Sequence, residues 1–167
     1  SFTNQAGGQV RLAASRIWTT NGGLLDLRTG LVTDSVSGRV STTGEIVEFL
    51  VQGPDPRCPN GLTAGPDGQV WFVEGCSTFG AAVSRITASG TLTTFVLPNP
   101  SCGPEKITTG PDGALWFTER GGNRVGRMTP DGALTEFPLP SLRSYPGGLT
   151  VGPDRAIWFT ESGAAAN

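Results

Sequence analysis

The feature that most constrains this chain is an internal repeat. A ten-residue segment of the form Gly-Pro-Asp-x-x-x-Trp-Phe-x-Glu begins at Gly65, Gly110 and Gly152. Two further motifs recur at steps of 46 and then 42 residues, one centred on arginine (Arg39, Arg85, Arg127) and one ending on phenylalanine (Phe49, Phe95, Phe137). A fixed period of about 20–50 residues is typical of solenoids, propellers and related arrays.

Each repeat contains four short β-type runs separated by turns. Gly-Pro-Asp-Gly suits a hairpin loop in which a type I turn is closed by a left-handed glycine. In the last copy Arg155 stands at the glycine position, and we expect backbone strain there. A four-stranded antiparallel sheet with two apolar faces cannot bury itself alone, so the repeats must stack. The sequence therefore predicts an all-β fold, a β-propeller of four-stranded antiparallel blades.

The repeat also predicts how many blades the chain supplies. We expect one propeller segment over residues 1–167, with blade one at 8–51, blade two at 60–98, blade three at 104–140 and a half blade at 147–162. Propellers close with about 4–8 blades. Three blades and a half need a partner to close a ring, either the remainder of a longer propeller, which we favour, or a second copy of the chain.

Composition excludes several classes of function. Gly and Pro together supply 38 of 167 residues, and only 16% are charged, which fits neither a helical nor a disordered protein. A net charge of −2 leaves no basic field for nucleic acid, and no apolar run is long enough to span a membrane. Histidine is absent, which removes the commonest general base and metal ligand.

Several recurring residues have a structural explanation. Because they return once per blade, we interpret the tryptophans as inter-blade packing, the arginines as ties between blades, and the aspartates as turn formers; the residues are Trp18, Trp71, Trp116 and Trp158, Arg39, Arg85 and Arg127, and Asp67, Asp112 and Asp154.

One rim of the propeller is the predicted functional face. The longest connections, residues 21–34 above all, lie on the rim where the second strand of each blade ends. A register centred on the hairpin turns places glutamates there, with Asn60 opposite Glu74, Glu105 opposite Glu119, and Gly147 opposite Glu161. Two facing carboxylates need a cation such as Mg²⁺ or Ca²⁺, or a shared proton, unless Glu105 and Glu119 reach solvent or pair with Arg120 or Lys106.

The same register places Cys58 opposite Cys76, at the distance that a disulfide spans. Cys102 lies on the same rim one blade on and could compete for Cys76, and three free thiols are the alternative. A disulfide would favour a secreted or periplasmic location.

Residues 104–140 resemble the streptogramin (virginiamycin) B lyase family. The resemblance rests on three runs, at residues 110–119 (Gly-Pro-Asp-Gly-Ala-Leu-Trp-Phe-Thr-Glu), 123–127 (Asn-Arg-Val-Gly-Arg) and 135–140 (Thr-Glu-Phe-Pro-Leu-Pro). It implies a seven-bladed propeller, of which this chain is about half, and a Mg²⁺-dependent elimination that opens a cyclic depsipeptide at its ester. The family's catalytic histidine slots hold Asn60, Glu105 and Gly147 here, whereas the paired glutamates are retained as candidate metal-shell groups at Glu74, Glu119 and Glu161.

We therefore expect a ligand-binding propeller that takes a small molecule, glycan or peptide on the loop-rich rim, through Asn60, Glu74 and Glu161, and is non-catalytic in this segment. One alternative is a carbon–oxygen lyase whose histidines lie on blades outside this chain, in which Glu105 and Glu119 take the catalytic or metal-binding roles. The other is a structural propeller fragment. Whether the chain is an enzyme stays open at this stage.

Overall fold

The structure is a computed structural model that describes residues 11–13, 16–18, 24–26, 35–51, 58–75 and 80–163. The chain divides into two compact units, Ser1–Thr33 and Asp34–Asn167. The first unit contains one antiparallel sheet of three short strands in chain order, β1 Arg11–Ala13, β2 Arg16–Trp18 and β3 Leu24–Asp26. These strands fall within predicted blade one.

The second unit is a series of antiparallel sheets in which every strand pairs with its neighbour in sequence. It opens with a two-stranded hairpin, β4 Ser35–Val40 and β5 Ile46–Val51. Blade two consists of β6 Pro59–Ala64, β7 Val70–Glu74, β8 Ala82–Ile86 and β9 Leu92–Val96. Blade three consists of β10 Pro104–Thr109, β11 Leu115–Glu119, β12 Arg124–Met128 and β13 Leu134–Pro138. The half blade is β14 Pro146–Val151 with β15 Ile157–Glu161.

No helix occurs among the residues that the structure describes, and none there could therefore span a membrane. The strands match the predicted all-β propeller fold, with two complete four-stranded blades, a half blade at the C-terminal side, and β4–β5 as a separate sheet. The main core lies between blades two and three, and its buried side chains are Trp71, Val73, Ala81, Val83, Leu97, Cys102, Ile107, Leu115, Phe117 and Met128.

The hairpin turns form as predicted. Gly68 and Gly113 have φ of +74° and +72°, and Arg155 occupies the same left-handed position with φ of +63°, which confirms the expected strain. The glycine that opens each turn is required for a different reason. A Cβ on Gly65 would lie 2.1 Å from the Trp71 ring, so the indole packs directly on the turn backbone.

The predicted register is right at the turn and wrong by one residue at the rim. Leu62 pairs with Phe72, but Pro59, not Asn60, pairs with Glu74. Pro104 and Pro146 likewise stand opposite Glu119 and Glu161 in place of Glu105 and Gly147.

A β-bulge in the first strand of blade two, of blade three and of the half blade causes the shift. In blade three, the N–H of Lys106 donates to Oγ1 of Thr118 (3.2 Å), a side chain, and not to the ladder. The same hydroxyl donates to the carbonyl of Gly147 in the next blade (2.9 Å). One threonine thus satisfies the bulge and links two blades.

Candidate functional site

The rim where the second strands end contains most of the predicted site residues, but the structure does not bring them into one cluster. Glu74 and Glu119 are buried at the ends of β7 and β11, whereas Glu161 is exposed at the end of β15. Asn60 is exposed and Glu105 is half-buried in the bulges of β6 and β10.

Glu119 is fully buried, and neither carboxylate oxygen has a hydrogen-bond donor at bonding geometry among the described residues. Two glycines leave room for the carboxylate, since a Cβ on Gly126 would lie 2.9 Å from its Oε1 and one on Gly122 would lie 3.0 Å from its Oε2. Burial, and then the nearby charge of Glu136, raise the pKa of Glu119 to about 7.

Glu136 accepts a hydrogen bond from Nη1 of Arg124 (2.9 Å), and its other oxygen, also buried, has no hydrogen-bond partner within the described part of the chain. The Cys102 thiol lies in the same cluster. Burial and the charge of Glu119 raise the pKa of Cys102 to about 12, so the thiol stays protonated at neutral pH. The cluster of Cys102, Glu119, Arg124 and Glu136 therefore holds two carboxyl groups against one cation, an arrangement that favours a proton on Glu119.

In blade two the equivalent glutamate, Glu74, has a hydrogen-bond partner from the neighbouring strand. There Ser84 and Thr94 stand where blade three has Gly126 and Glu136. The Ser84 hydroxyl hydrogen-bonds to the Glu74 carboxylate and lies 3.0 Å from the Thr94 hydroxyl. Each glutamate ends the second strand of its blade, but of these two blades only blade three places a second carboxyl group, that of the half-buried Glu136, near the buried one.

The predicted metal pair, Glu105 with Glu119, does not fit the geometry of a Mg²⁺ or Ca²⁺ site. Such ions need several converging oxygen ligands. Glu105 instead accepts a hydrogen bond from Nη1 of Arg120 (3.3 Å), and the bulge places Pro104 opposite Glu119. Within the described part of the chain, no three His, Cys, Asp or Glu side chains are grouped so that they could hold a metal ion.

The sequence prediction missed a set of exposed side chains on this rim. The Arg120 guanidinium lies 5.8 Å from the centre of the Tyr145 ring, and Leu142, in the same loop as Tyr145, is largely exposed. We call Arg120, Leu142 and Tyr145 the rim platform. They lie on short loops without a repeat signature: Arg120 follows the second strand of blade three, and Leu142 and Tyr145 lie between its fourth strand and the first strand of the half blade.

Local hydrogen bonds hold the loop that carries the platform. Oδ1 of Asn123 accepts the N–H of Ser144 (2.7 Å), and its Nδ2 donates to the carbonyl of Ser141 (2.8 Å). Arg143 and Tyr145 adopt positive φ of 58° and 48°, which is uncommon for residues other than glycine. The loop is thus constrained and strained.

The cysteines divide into two kinds. Cys58 is disulfide-bonded, and Cys102 is free and buried. Cys76, the predicted partner of Cys58, lies outside the described residues, so the pairing stays a prediction.

The opposite rim carries a repeated packing unit. In blade two the Trp71 indole donates to Asp67 (2.9 Å) and stacks on Phe95 with centroids 5.6 Å apart, while Arg85 lies over both rings. Blade three repeats it with Asp112, Trp116, Arg127 and Phe137. A cavity of about 420 Å³ lies at Trp116, lined by Pro111, Asp112, Trp116, Arg155, Ala156 and Ile157.

Radially arranged four-stranded sheets with one tryptophan unit per repeat define a β-propeller, present here in part. The chain belongs to the virginiamycin B lyase family, whose model matches residues 13–166.

Solved structures agree with this assignment. The chain is 30% identical to virginiamycin B lyase from Staphylococcus aureus (TM-score 0.69), covering 96% of this chain and 61% of that one. It is 33% identical to a catalytically inactive variant of that lyase, with one histidine replaced by alanine, solved with quinupristin (TM-score 0.70; 96% and 61%). A streptogramin B lyase is 31% identical (TM-score 0.69; 95% and 60%). The chain thus spans about 60% of the length of these lyases. No curated protein matches it.

Proposed function

We propose that this chain is the ligand-binding part of a propeller that takes a small molecule, glycan or peptide on the rim platform, and that this segment is non-catalytic. The observation that carries the proposal is the platform itself, an exposed tyrosine ring beneath a guanidinium with a largely exposed leucine in the same loop region. Such a surface offers stacking, a cation and apolar contact together, which is how most ligand sites combine affinity with orientation.

A cyclic peptide is the first ligand class to test. Peptide rings present apolar and aromatic groups together with carbonyl oxygens, which match Leu142, Tyr145 and Arg120 in turn. Among the relatives, a Staphylococcus aureus lyase variant was solved with quinupristin, so quinupristin is the probe we choose. Asn60, Glu74 and Glu161 remain candidates at the edge of the same rim.

The two predicted catalytic carboxyl groups, Glu105 and Glu119, are poorly placed for elimination, which requires a base at the substrate. The chain contains no histidine. Glu105 is paired with Arg120, and Glu119 is fully buried. Neither carboxyl therefore supports the predicted catalytic role.

Membership of the lyase family favours a second candidate, a carbon–oxygen lyase acting on a cyclic depsipeptide ester. Since the chain spans about 60% of its relatives, the histidines and metal ligands of such an enzyme would come from residues outside it.

Titration calorimetry with quinupristin tests the proposal. We expect Tyr145→Ala and Arg120→Ala to weaken binding by about tenfold or more, because each removes an anchor of the platform. Val70→Ala is the matched control. Val70 is as exposed as Tyr145 (42%), but it lies at the start of β7, on the rim opposite the platform. No heat of binding, or equal losses in all three variants, would contradict the proposal.

A chromatographic assay of the same mixtures separates binding from catalysis. Elimination within a ring leaves the mass of the ligand unchanged, so the ring-opened product must be detected by retention time. We expect quinupristin to be recovered intact, and a new peak that grows with time would support the lyase.

A further inference from the structure

The first strand of blade two carries an exposed asparagine followed by glycine inside its β-bulge. Asn60 and Gly61 are the two residues that the bulge leaves out of the pairing with β7, and together they oppose the single residue Val73. Asn60 is exposed. An asparagine before a glycine is especially prone to spontaneous deamidation, because glycine has no Cβ to shield its backbone nitrogen from the asparagine side chain.

The packing between blades two and three requires the glycine of this pair. A Cβ on Gly61 would lie 2.8 Å from the carbonyl oxygen of Glu105 and 2.9 Å from the Cα of Lys106. Both atoms belong to the backbone of β10, which cannot move aside as the end of a long side chain could. The close approach of two blades therefore fixes glycine after Asn60 and maintains the labile pair.

Blade three shows how such a bulge can hold its backbone, and blade two lacks that device. In β10 the N–H of Lys106, at the position of Gly61, donates to the Thr118 hydroxyl (3.2 Å). In blade two the residue at the position of Thr118 is Val73, which is fully buried and has no hydroxyl. The Gly61 N–H thus lacks the acceptor that Lys106 has. This N–H is the group that must lose its proton before the nitrogen can attack the asparagine side chain.

Two other asparagines in the described part of the chain are protected. Asn123 uses both ends of its amide in hydrogen bonds to the loop that carries the rim platform. Asn99 precedes Pro100, whose nitrogen carries no hydrogen and cannot close the ring. Asn21 is also followed by glycine, and it lies outside the described residues.

We infer that Asn60 is a site of spontaneous modification, exposed by the bulge that Val73 leaves without an acceptor, at which the folded protein converts asparagine to aspartate and isoaspartate. The Gly61 nitrogen gives up its proton and bonds to Cγ of Asn60, and the side-chain nitrogen leaves as ammonia. Water then opens the resulting succinimide at either of its carbonyl groups. Both products carry a carboxyl group in place of the amide, so the rim gains one negative charge at neutral pH.

Blade two does not compensate this charge as blade three does. Asn60 occupies the position of Glu105, which accepts a hydrogen bond from Arg120 (3.3 Å). The residue at the position of Arg120 is Gly75. Isoaspartate also lengthens the main chain by a methylene beside Gly61, where the blades are already in close contact. We therefore expect the modified protein to unfold at a lower urea concentration than the unmodified one.

Peptide mapping of the 167-residue chain after incubation at pH 8 and 37 °C tests the inference. Trypsin places Asn60, Asn99 and Asn123 on separate peptides, because an arginine or lysine lies between each and the next. We expect the mass gain of an acid that replaces an amide at Asn60, and no change at Asn99 or Asn123. The same chain kept in urea gives the rate of the unfolded pair. An unchanged Asn60 in the folded protein, over a time in which the unfolded chain is converted, would overturn the inference.

Val73→Thr tests the structural cause. Its hydroxyl would stand where Thr118 stands in blade three and would accept the Gly61 N–H. We expect conversion of Asn60 in the folded protein to slow by about fivefold, the effect of one net hydrogen bond, with an unchanged rate in urea. Val70→Thr is the control, because it makes the same substitution on β7 away from the bulge.

Circular dichroism confirms that both variants are folded. Equal rates in folded wild type and folded Val73→Thr would overturn the assignment of the bulge as the cause. If Val73→Thr does not fold, the comparison of folded and unfolded wild type still decides whether Asn60 is modified.

Discussion

Glu119 shows how one residue acquires its chemistry from strands that are distant in sequence. Its backbone ends β11, its oxygens occupy space left by Gly122 and Gly126, and the charge that opposes its ionisation belongs to Glu136 on β13. Arg124 pairs with only one of the two carboxylates, that of Glu136. The repeat pattern predicts Glu119 to be a ligand on the rim, but the structure shows it to be a buried carboxyl group.

We predict that Glu119→Gln reduces the pH dependence of stability. The folded pKa of about 7 lies above the ordinary value of 4.5, so the native state retains a proton that the unfolded chain releases. The free energy of unfolding should thus be highest below pH 4.5 on this account, fall as pH rises towards 7, and level off beyond it. At about 1.4 kcal/mol per pKa unit, the wild type should lose roughly 2–3 kcal/mol relative to the variant.

Urea unfolding of both proteins at pH 5 and pH 8 measures the difference. Glu161→Gln is the control, because Glu161 closes the equivalent strand of the half blade in an exposed position. If the wild type and Glu119→Gln changed equally between the two pH values, the shared-proton account of this cluster would be wrong.

At the scale of the element, each hairpin and its tryptophan form one packing unit. The aspartate of the turn accepts the indole N–H in all three described copies. Burial tends to raise the pKa of Asp112, but hydrogen bonds from Trp116 and Arg127 outweigh it and lower that pKa to about 2. Since this contact is local, what distinguishes the copies is the cover that the next blade provides.

Replacement of these tryptophans by alanine should therefore have graded effects. We expect Trp71→Ala to cost about 3–5 kcal/mol, as for a fully buried aromatic. Trp158→Ala should cost less than about 1 kcal/mol, because its ring is exposed, and Trp116→Ala should lie between them. Denaturant unfolding of the three variants measures these costs, and equal costs at Trp71 and Trp158 would contradict the grading.

At the scale of the whole molecule, a few hydrogen bonds couple the blades. Arg85 reaches Pro130, Thr118 reaches Gly147, and Thr109 donates to the carbonyl of Ala64. The predicted role of the recurring arginines as inter-blade ties is confirmed for Arg85. Arg127 bonds within its own blade to Asp112 (2.7 Å).

Arg85→Ala should lower the free energy of unfolding by about 1 kcal/mol more than Arg127→Ala in a single chain, since only the former loses an inter-blade hydrogen bond. Both variants lose a pairing with the turn aspartate, so each serves as the control for the other. Equal losses in urea unfolding would show that the bond to Pro130 contributes little to coupling.

Features that repeat locally could be read from the sequence. The turns, the left-handed glycines and the strain at Arg155 depend on four or five consecutive residues, and the Leu62–Phe72 register follows from the turn. The rim register could not be read, because a bulge in each of these first strands shifts the pairing by one residue, and the alternation counted from the turn does not record it. The rim platform was missed because Arg120 and Tyr145 meet only after two blades have packed.

The periodicity of the chain by itself determined an all-β propeller, the place of its turns and its tryptophan units, since each of these follows from short-range geometry repeated at a constant spacing. The repeated sequence motifs also indicated the family, which the match of the family model over residues 13–166 confirms. Only the tertiary structure decided which glutamate is buried, which is paired and which is exposed, and which residues of the rim meet across two blades. Burial and charge depend on neighbours contributed by other strands and blades, and no spacing along the chain records them.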